Sequence, residues 1–212
     1  TCFEGNANAF RLLTHQFNGR REGGFVMTYS MLASIVKYPF ASSLAGEHGK
    51  FGFFHTEQAT YKKIADELGI ICESKSGEPL RYARHPLVYL VEAADDICYE
   101  IMDIEDSHKL KILTYEETRQ LLLGFFDKNA QQQIEDKIKE EGVTDENEKI
   151  VYMRACAIGK LEKECVDTFV NNEDKILAGH FKGSLIQNAT LNVRQAYQNC
   201  EEIAYEKIYH SK

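Results

Sequence analysis

Glu92, Asp95, Tyr99 and Asp103 are the residues whose types and spacing could do chemistry together. At about 100° per residue, each step of four advances only about 40°, so on a helix Asp95, Tyr99 and Asp103 form one stripe with Glu92 beside it. Leu87, Leu90, Val91, Ala94, Ile97, Cys98, Ile101 and Ile104 occupy much of the remaining circumference. A helix that apolar is expected to be mostly buried, and a buried carboxylate is costly unless it is paired or bound to a metal. The stripe therefore needs cationic company. Ion pairs with Arg or Lys of neighbouring helices, or a solvent-facing stripe, would satisfy the same spacing, and structural ion-pair networks outnumber active sites.

Single residues elsewhere carry less information. Lys37 and Lys50, taken alone, read as solvated surface lysines, since Lys is rarely fully buried. Asn6 opens an apolar helical pattern and is of a type that caps helix N-termini. His85, just before Pro86, reads as a capping or packing histidine, and Thr56 as the cap of a helix that Glu57 continues. Arg81 and Arg84 are available to partner Glu92 or another acidic neighbour. None of the histidines at 15, 48, 55, 85, 108, 180 and 210 is followed by Asp. The six cysteines contain no C-x-x-C pair, which disfavours a zinc site and fits reduced thiols in a cytoplasmic protein.

A formal charge of −8 argues against a surface for broad contact with nucleic acid, so an anionic substrate would need a local basic pocket or a metal. No stretch approaches the roughly 20 apolar residues needed to cross a bilayer, so no membrane partner is expected. The first residue is Thr rather than Met, and a helical pattern is running by Glu4. The sequence is therefore expected to be a piece of a longer protein.

The elements that must position these residues are helical. Prolines occur only at 39, 79 and 86, and apolar residues recur at intervals of three and four through most of the rest. The pattern predicts an all-α fold with helices near 6–17, 30–37, 56–68, 86–107, 114–126, 130–140, 146–171 and 184–209. Loops are expected over 39–54 and 73–79, and an exposed helical hairpin after Asp127. The aromatics Tyr61, Phe125, Phe126, Phe169 and Tyr197 fall on apolar faces and read as core.

Four ordered strings also resemble the dGTPase-like deoxynucleoside triphosphate triphosphohydrolases of the HD-domain superfamily. Residues 84–99, RHPLVYLVEAADDICY, resemble that family's RHPLAYLxEAADDIxY, and residues 3–11, FEGNANAFR, resemble FEGNAQxxR. Residues 35–39, IVKYP, and 50–54, KFGFF, resemble its KYP turn and its KFGxF segment. The resemblance implies an HD-like helical core over 1–126, lacking its N-terminal ligand-bearing helices, with 127–212 as a helical extension packed on it. It implies Asp95 as the last of four ligands to a divalent metal ion, Mg, Mn or similar. The other three ligands, a His and a His-Asp pair, are absent from this chain, and no catalytic residue is identifiable within it. Tyr99 is implied to pack where a ribose 2′-hydroxyl would crowd, and Asp103 to accept from the 3′-hydroxyl. Lys37, Tyr38 and Lys50 are implied to touch the phosphates, and Asn6 to contact substrate or support a residue that does.

The function so implied is metal-dependent hydrolysis of a dNTP, dGTP favoured, to deoxynucleoside and tripolyphosphate, by an intact protein that is a homo-oligomer. This piece alone is expected to be inactive. Another HD-superfamily nucleotide phosphohydrolase would share the role of Asp95 without requiring the Tyr99 and Asp103 spacing. A non-catalytic nucleotide-binding regulator and a plain helical interaction module are the readings from other classes. A carboxylate stripe on a buried helix speaks against the last.

Overall fold

A computed structural model of the chain describes residues 3–19, 24–47 and 49–210. Cys2 and His48 lie outside them. The fold is all-helical, and among the described residues β structure is limited to the isolated bridges Phe40–Arg81, Ala41–Phe53 and Cys72–Tyr82. Two compact units are formed, Thr1–Glu92 with Asn172–Lys182, and Ala93–Asn171 with Gly183–Lys212.

The first unit carries α1 (Gly5–Thr14), α2 (Tyr29–Ser34), α3 (Gln58–Leu68), the opening turns of α4 (Pro86–Lys109) and the short α8 (Glu173–Leu177). Helix α1 starts where it does because the Glu4 carboxylate accepts from the Ala7 N–H at 2.9 Å, occupying one of the donors a helix start leaves open. Glu4, not Asn6, is thus the cap. The core gathers Phe10, Leu32, Val36, Phe53, Tyr61, Ile64 and Tyr82. Tyr61 stacks on Phe53 with ring centroids 4.7 Å apart and meets Phe10 and Tyr82 edge-on. Gly52 allows the chain to pass this core, since a Cβ there would lie 2.2 Å from the Tyr38 carbonyl oxygen. Tyr89 donates to the Phe181 carbonyl at 3.2 Å and packs edge-on against its ring, tying α4 to the segment after α8.

The second unit carries the rest of α4, α5 (Tyr115–Leu123), α6 (Lys128–Glu140), α7 (Glu146–Asn171) and α9 (Leu191–Ile203), which continues as a π-helical segment, Ala204–Tyr209. Thr114 and Glu117 form a reciprocal capping box at the start of α5, and Asp127 caps α6. Ile97, Ile101 and Ile104 are buried, as their spacing predicts. Each contributes about 1.5–3 kcal/mol through apolar surface removed from water, and together they set the rotation of α4.

Some boundaries differ from the periodicity. Helix α2 stops at Ser34 rather than near 37, where the Val36 and Lys37 N–H groups turn to the Ala33 and Ile35 carbonyls instead of continuing the helical ladder. The pattern over 184–209 reads as one helix, yet α9 begins only at Leu191. Ahead of it, Ile186–Asn188 form a 3-10 turn, Ala189 is extended, and Thr190 donates its hydroxyl to Glu164 at 2.9 Å. Thr56 does not cap α3. It lies within a 3-10 turn, donating to Glu57 at 2.7 Å and accepting from Arg11 at 3.1 Å.

Candidate functional site

In the first unit, the buried glutamates decide where the cations go. Glu4 accepts from Asn6 Nδ2 at 3.0 Å and stands 3.6 Å from Lys50 Nζ, and that ammonium lies 5.9 Å from the centre of the Tyr38 ring. Asn6, Tyr38 and Lys50 are therefore gathered around one carboxylate. Glu92 holds a second group: Lys37 Nζ at 3.0 Å from one oxygen and Arg84 Nη1 at 2.8 Å from the other. Burying a carboxylate this deeply is tolerable only with such company. Arg84 also lies over the Tyr89 ring, and Arg81 over that of Phe40. His85 Nδ1 accepts from the Leu87 N–H at 3.3 Å, so this histidine works as a helix-start acceptor, and burial holds its pKa below the usual value.

In the second unit, the stripe on α4 is more open than its apolar surroundings suggest. Asp95 is exposed, Tyr99 is 69% exposed and Asp103 is half-buried. The expectation of a mostly buried helix holds for the Ile97, Ile101 and Ile104 face but not for Leu87, Val91 and Met102, which are exposed along with Tyr99. Asp103 is not free: the Tyr209 hydroxyl donates to its Oδ2. Behind the stripe, Glu100 is buried with Oε1 lacking a hydrogen-bond partner among the described residues. Burial, then Glu201 and Asp103, push its pKa up to about 7.

Sequence reasoning missed Glu4 as the organiser of Asn6 and Lys50, Glu100 as an uncompensated carboxylate, and Tyr209 altogether. For Glu4 there was a signal, an acidic residue at the step into an apolar helix. For Tyr209, 106 positions away from Asp103, there was none.

A divalent metal does not fit the described residues as they stand. No three of their His, Cys, Asp or Glu side chains converge in a way that could hold an ion, and a lone aspartate does not fix coordination geometry.

No family model matches the chain. It is 36% identical to a deoxyguanosinetriphosphate triphosphohydrolase-like protein of Pseudomonas aeruginosa over 219 residues, covering 99% of this chain and 47% of that protein. It is 37% identical to a protein of the same description from Synechocystis over 194 residues, 87% of this chain and 42% of the relative. The chain belongs to the deoxyguanosinetriphosphate triphosphohydrolase-like family. It spans about half the length of the relatives it matches. A more distant relative, the deoxyguanosinetriphosphate triphosphohydrolase of Serratia proteamaculans, is 27% identical over 98% of the chain. The family alignment thus extends through both units, including the C-terminal helices, where the sequence strings gave only a general pattern. No helix among the described residues is long and apolar enough to cross a membrane.

Proposed function

We propose that this chain is part of a deoxynucleoside triphosphate triphosphohydrolase, acting on dGTP or several dNTPs and releasing the deoxynucleoside and tripolyphosphate. Within the second unit, Tyr99 and Asp103 are the deoxyribose contacts, and Asp95 is one ligand of a divalent ion whose other ligands come from outside the described residues. Within the first unit, Lys37, Tyr38 and Lys50 are the phosphate contacts, and Asn6 supports Lys50 through Glu4.

The observation that carries this reading is the similarity to deoxyguanosinetriphosphate triphosphohydrolase-like proteins over 99% of the chain, and Asp95 and Tyr99 lie on an open face of α4 where a ligand can reach them. A stripe serving only to balance buried charge would be tied up by Arg or Lys, as Glu92 is. Asp95 makes no ion pair among the described residues, and Asp103 meets a neutral phenol.

The test is product analysis with a protein that carries this chain at the full length of its relatives. Tripolyphosphate and deoxyguanosine appearing together from dGTP, and lost in Asp95→Ala, would support the reading. Release of single phosphates would point to a different phosphohydrolase, and nucleotide binding without turnover to a regulator.

A further inference from the structure

The contact between Asp103 and Tyr209 has a chemistry of its own. An ionised carboxylate offers two oxygens and about four acceptor sites, so one phenolic donor on Oδ2 leaves room for a second hydroxyl. A neutral donor also fixes the carboxylate's orientation without cancelling its charge, as Lys or Arg would.

The segment that delivers this phenol is anchored independently of it. Ala204 is fully buried, and Lys207 Nζ lies 2.5 Å from Glu117 Oε1, on the residue that completes the α5 capping box. Tyr209 itself is 58% exposed, as is its neighbour one turn back, Tyr205, at 62%. The widened π turn over Ala204–Tyr209 is a rare conformation that recurs at functional sites. The hydrogen bond to Asp103 pushes the phenol up to about 12, which keeps it a donor at neutral pH.

We infer that Tyr209 is a positioning residue for the sugar subsite, holding Asp103 Oδ2 so that the rest of that carboxylate is presented to the nucleotide 3′-hydroxyl. This rests on the role of Asp103 under the proposed function.

The experiment measures equilibrium binding of a 2′-deoxynucleoside triphosphate and its 2′,3′-dideoxy counterpart, both as 5′-methylene analogues that resist hydrolysis. The protein is the full-length form, as parent, Tyr209→Phe, Asp103→Asn and the double variant. The parent should prefer the 3′-hydroxyl. Tyr209→Phe should cut that preference about three- to tenfold, the worth of one oriented hydrogen bond, with Tm unchanged. The double variant should be no worse than Asp103→Asn. A preference kept in Tyr209→Phe, or raised because the phenol had been competing with the sugar, overturns the inference and leaves Asp103 in place. A preference untouched in Asp103→Asn, or no nucleotide binding at all, removes the sugar-site reading and this inference with it.

Discussion

Lys37 Nζ stands 3.0 Å from Glu92 Oε1, and the Glu92 side chain is only 7% exposed. With Arg84 on its other oxygen, Glu92 is the counter-charge for two cations at the start of α4. Removing it as Glu92→Ala takes the shared counter-charge from two part-exposed cations, and losing hydrogen bonds to a charged group costs about 1.5–3 kcal/mol. Urea unfolding should show a loss of that order. A loss below about 1 kcal/mol would mean that the cluster behaves like an exposed ion pair.

Glu100 predicts a pH dependence of stability. Its folded pKa, about 7, is raised above the ordinary 4.5 by burial, Glu201 and Asp103, with Tyr197 and Cys200 of α9 also coupled to it. The folded state therefore keeps a proton that the unfolded chain releases, so this contribution is full below pH 4.5 and is lost as pH rises through 7. Glu201 is raised too and acts in the same direction. Glu117, lowered to about 2 by Lys207 and Thr114, loses its contribution only in acid. His85, lowered by burial, acts oppositely below its usual pKa. The difference between parent and Glu100→Gln isolates the effect: the variant should gain about 1–3 kcal/mol on the parent between pH 5 and 8. Parallel stability curves would show that Glu100 is ionised throughout.

Tyr61 is fully buried, and its hydroxyl finds no partner among the described residues. Burial, then Tyr82, push its pKa far up, so it stays a neutral phenol. Tyr61→Phe keeps the stack on Phe53 and deletes the unmade hydrogen bond. Stability should rise by about 1 kcal/mol in thermal or urea unfolding. A fall of that size would show that the hydroxyl has a partner, such as a bound water.

Sugar discrimination should divide along the α4 stripe. Asp95→Ala should abolish turnover by the full-length protein, and Asp103→Asn should mainly raise KM as a charge-assisted hydrogen bond of about 1.5–3 kcal/mol becomes neutral. Tyr99→Ala should relax the exclusion of GTP relative to dGTP. Because Tyr99 is so exposed, its removal should change Tm little. Unchanged dGTP-to-GTP discrimination in Tyr99→Ala, with near-normal kinetics in Asp103→Asn, would sink the sugar assignment and leave Asp95 standing.

What the sequence determined by itself was local and periodic. Apolar spacing of three and four, with Pro86 at a helix start, was enough for α4, for the inward face of Ile97, Ile101 and Ile104, and for the all-α class, because a helix's own geometry sets which residues share a face. The ordered strings around FEGN, KYP, KFG and EAADD were enough to point to the family. Tertiary structure decided which charges meet. Lys37 and Lys50 lie 55 and 46 positions from Glu92 and Glu4, and nothing in their local sequence says that a buried carboxylate will claim them. It also decided that the Asp95 stripe faces outward while Glu100, five positions on, is buried. Tyr209 shows the same limit: it lies 106 positions from Asp103 and meets it from the π turn that follows α9. Helical periodicity reports which face is apolar, but the partner of a polar group is chosen by packing between segments distant in sequence, where desolvation makes a counter-charge or donor necessary.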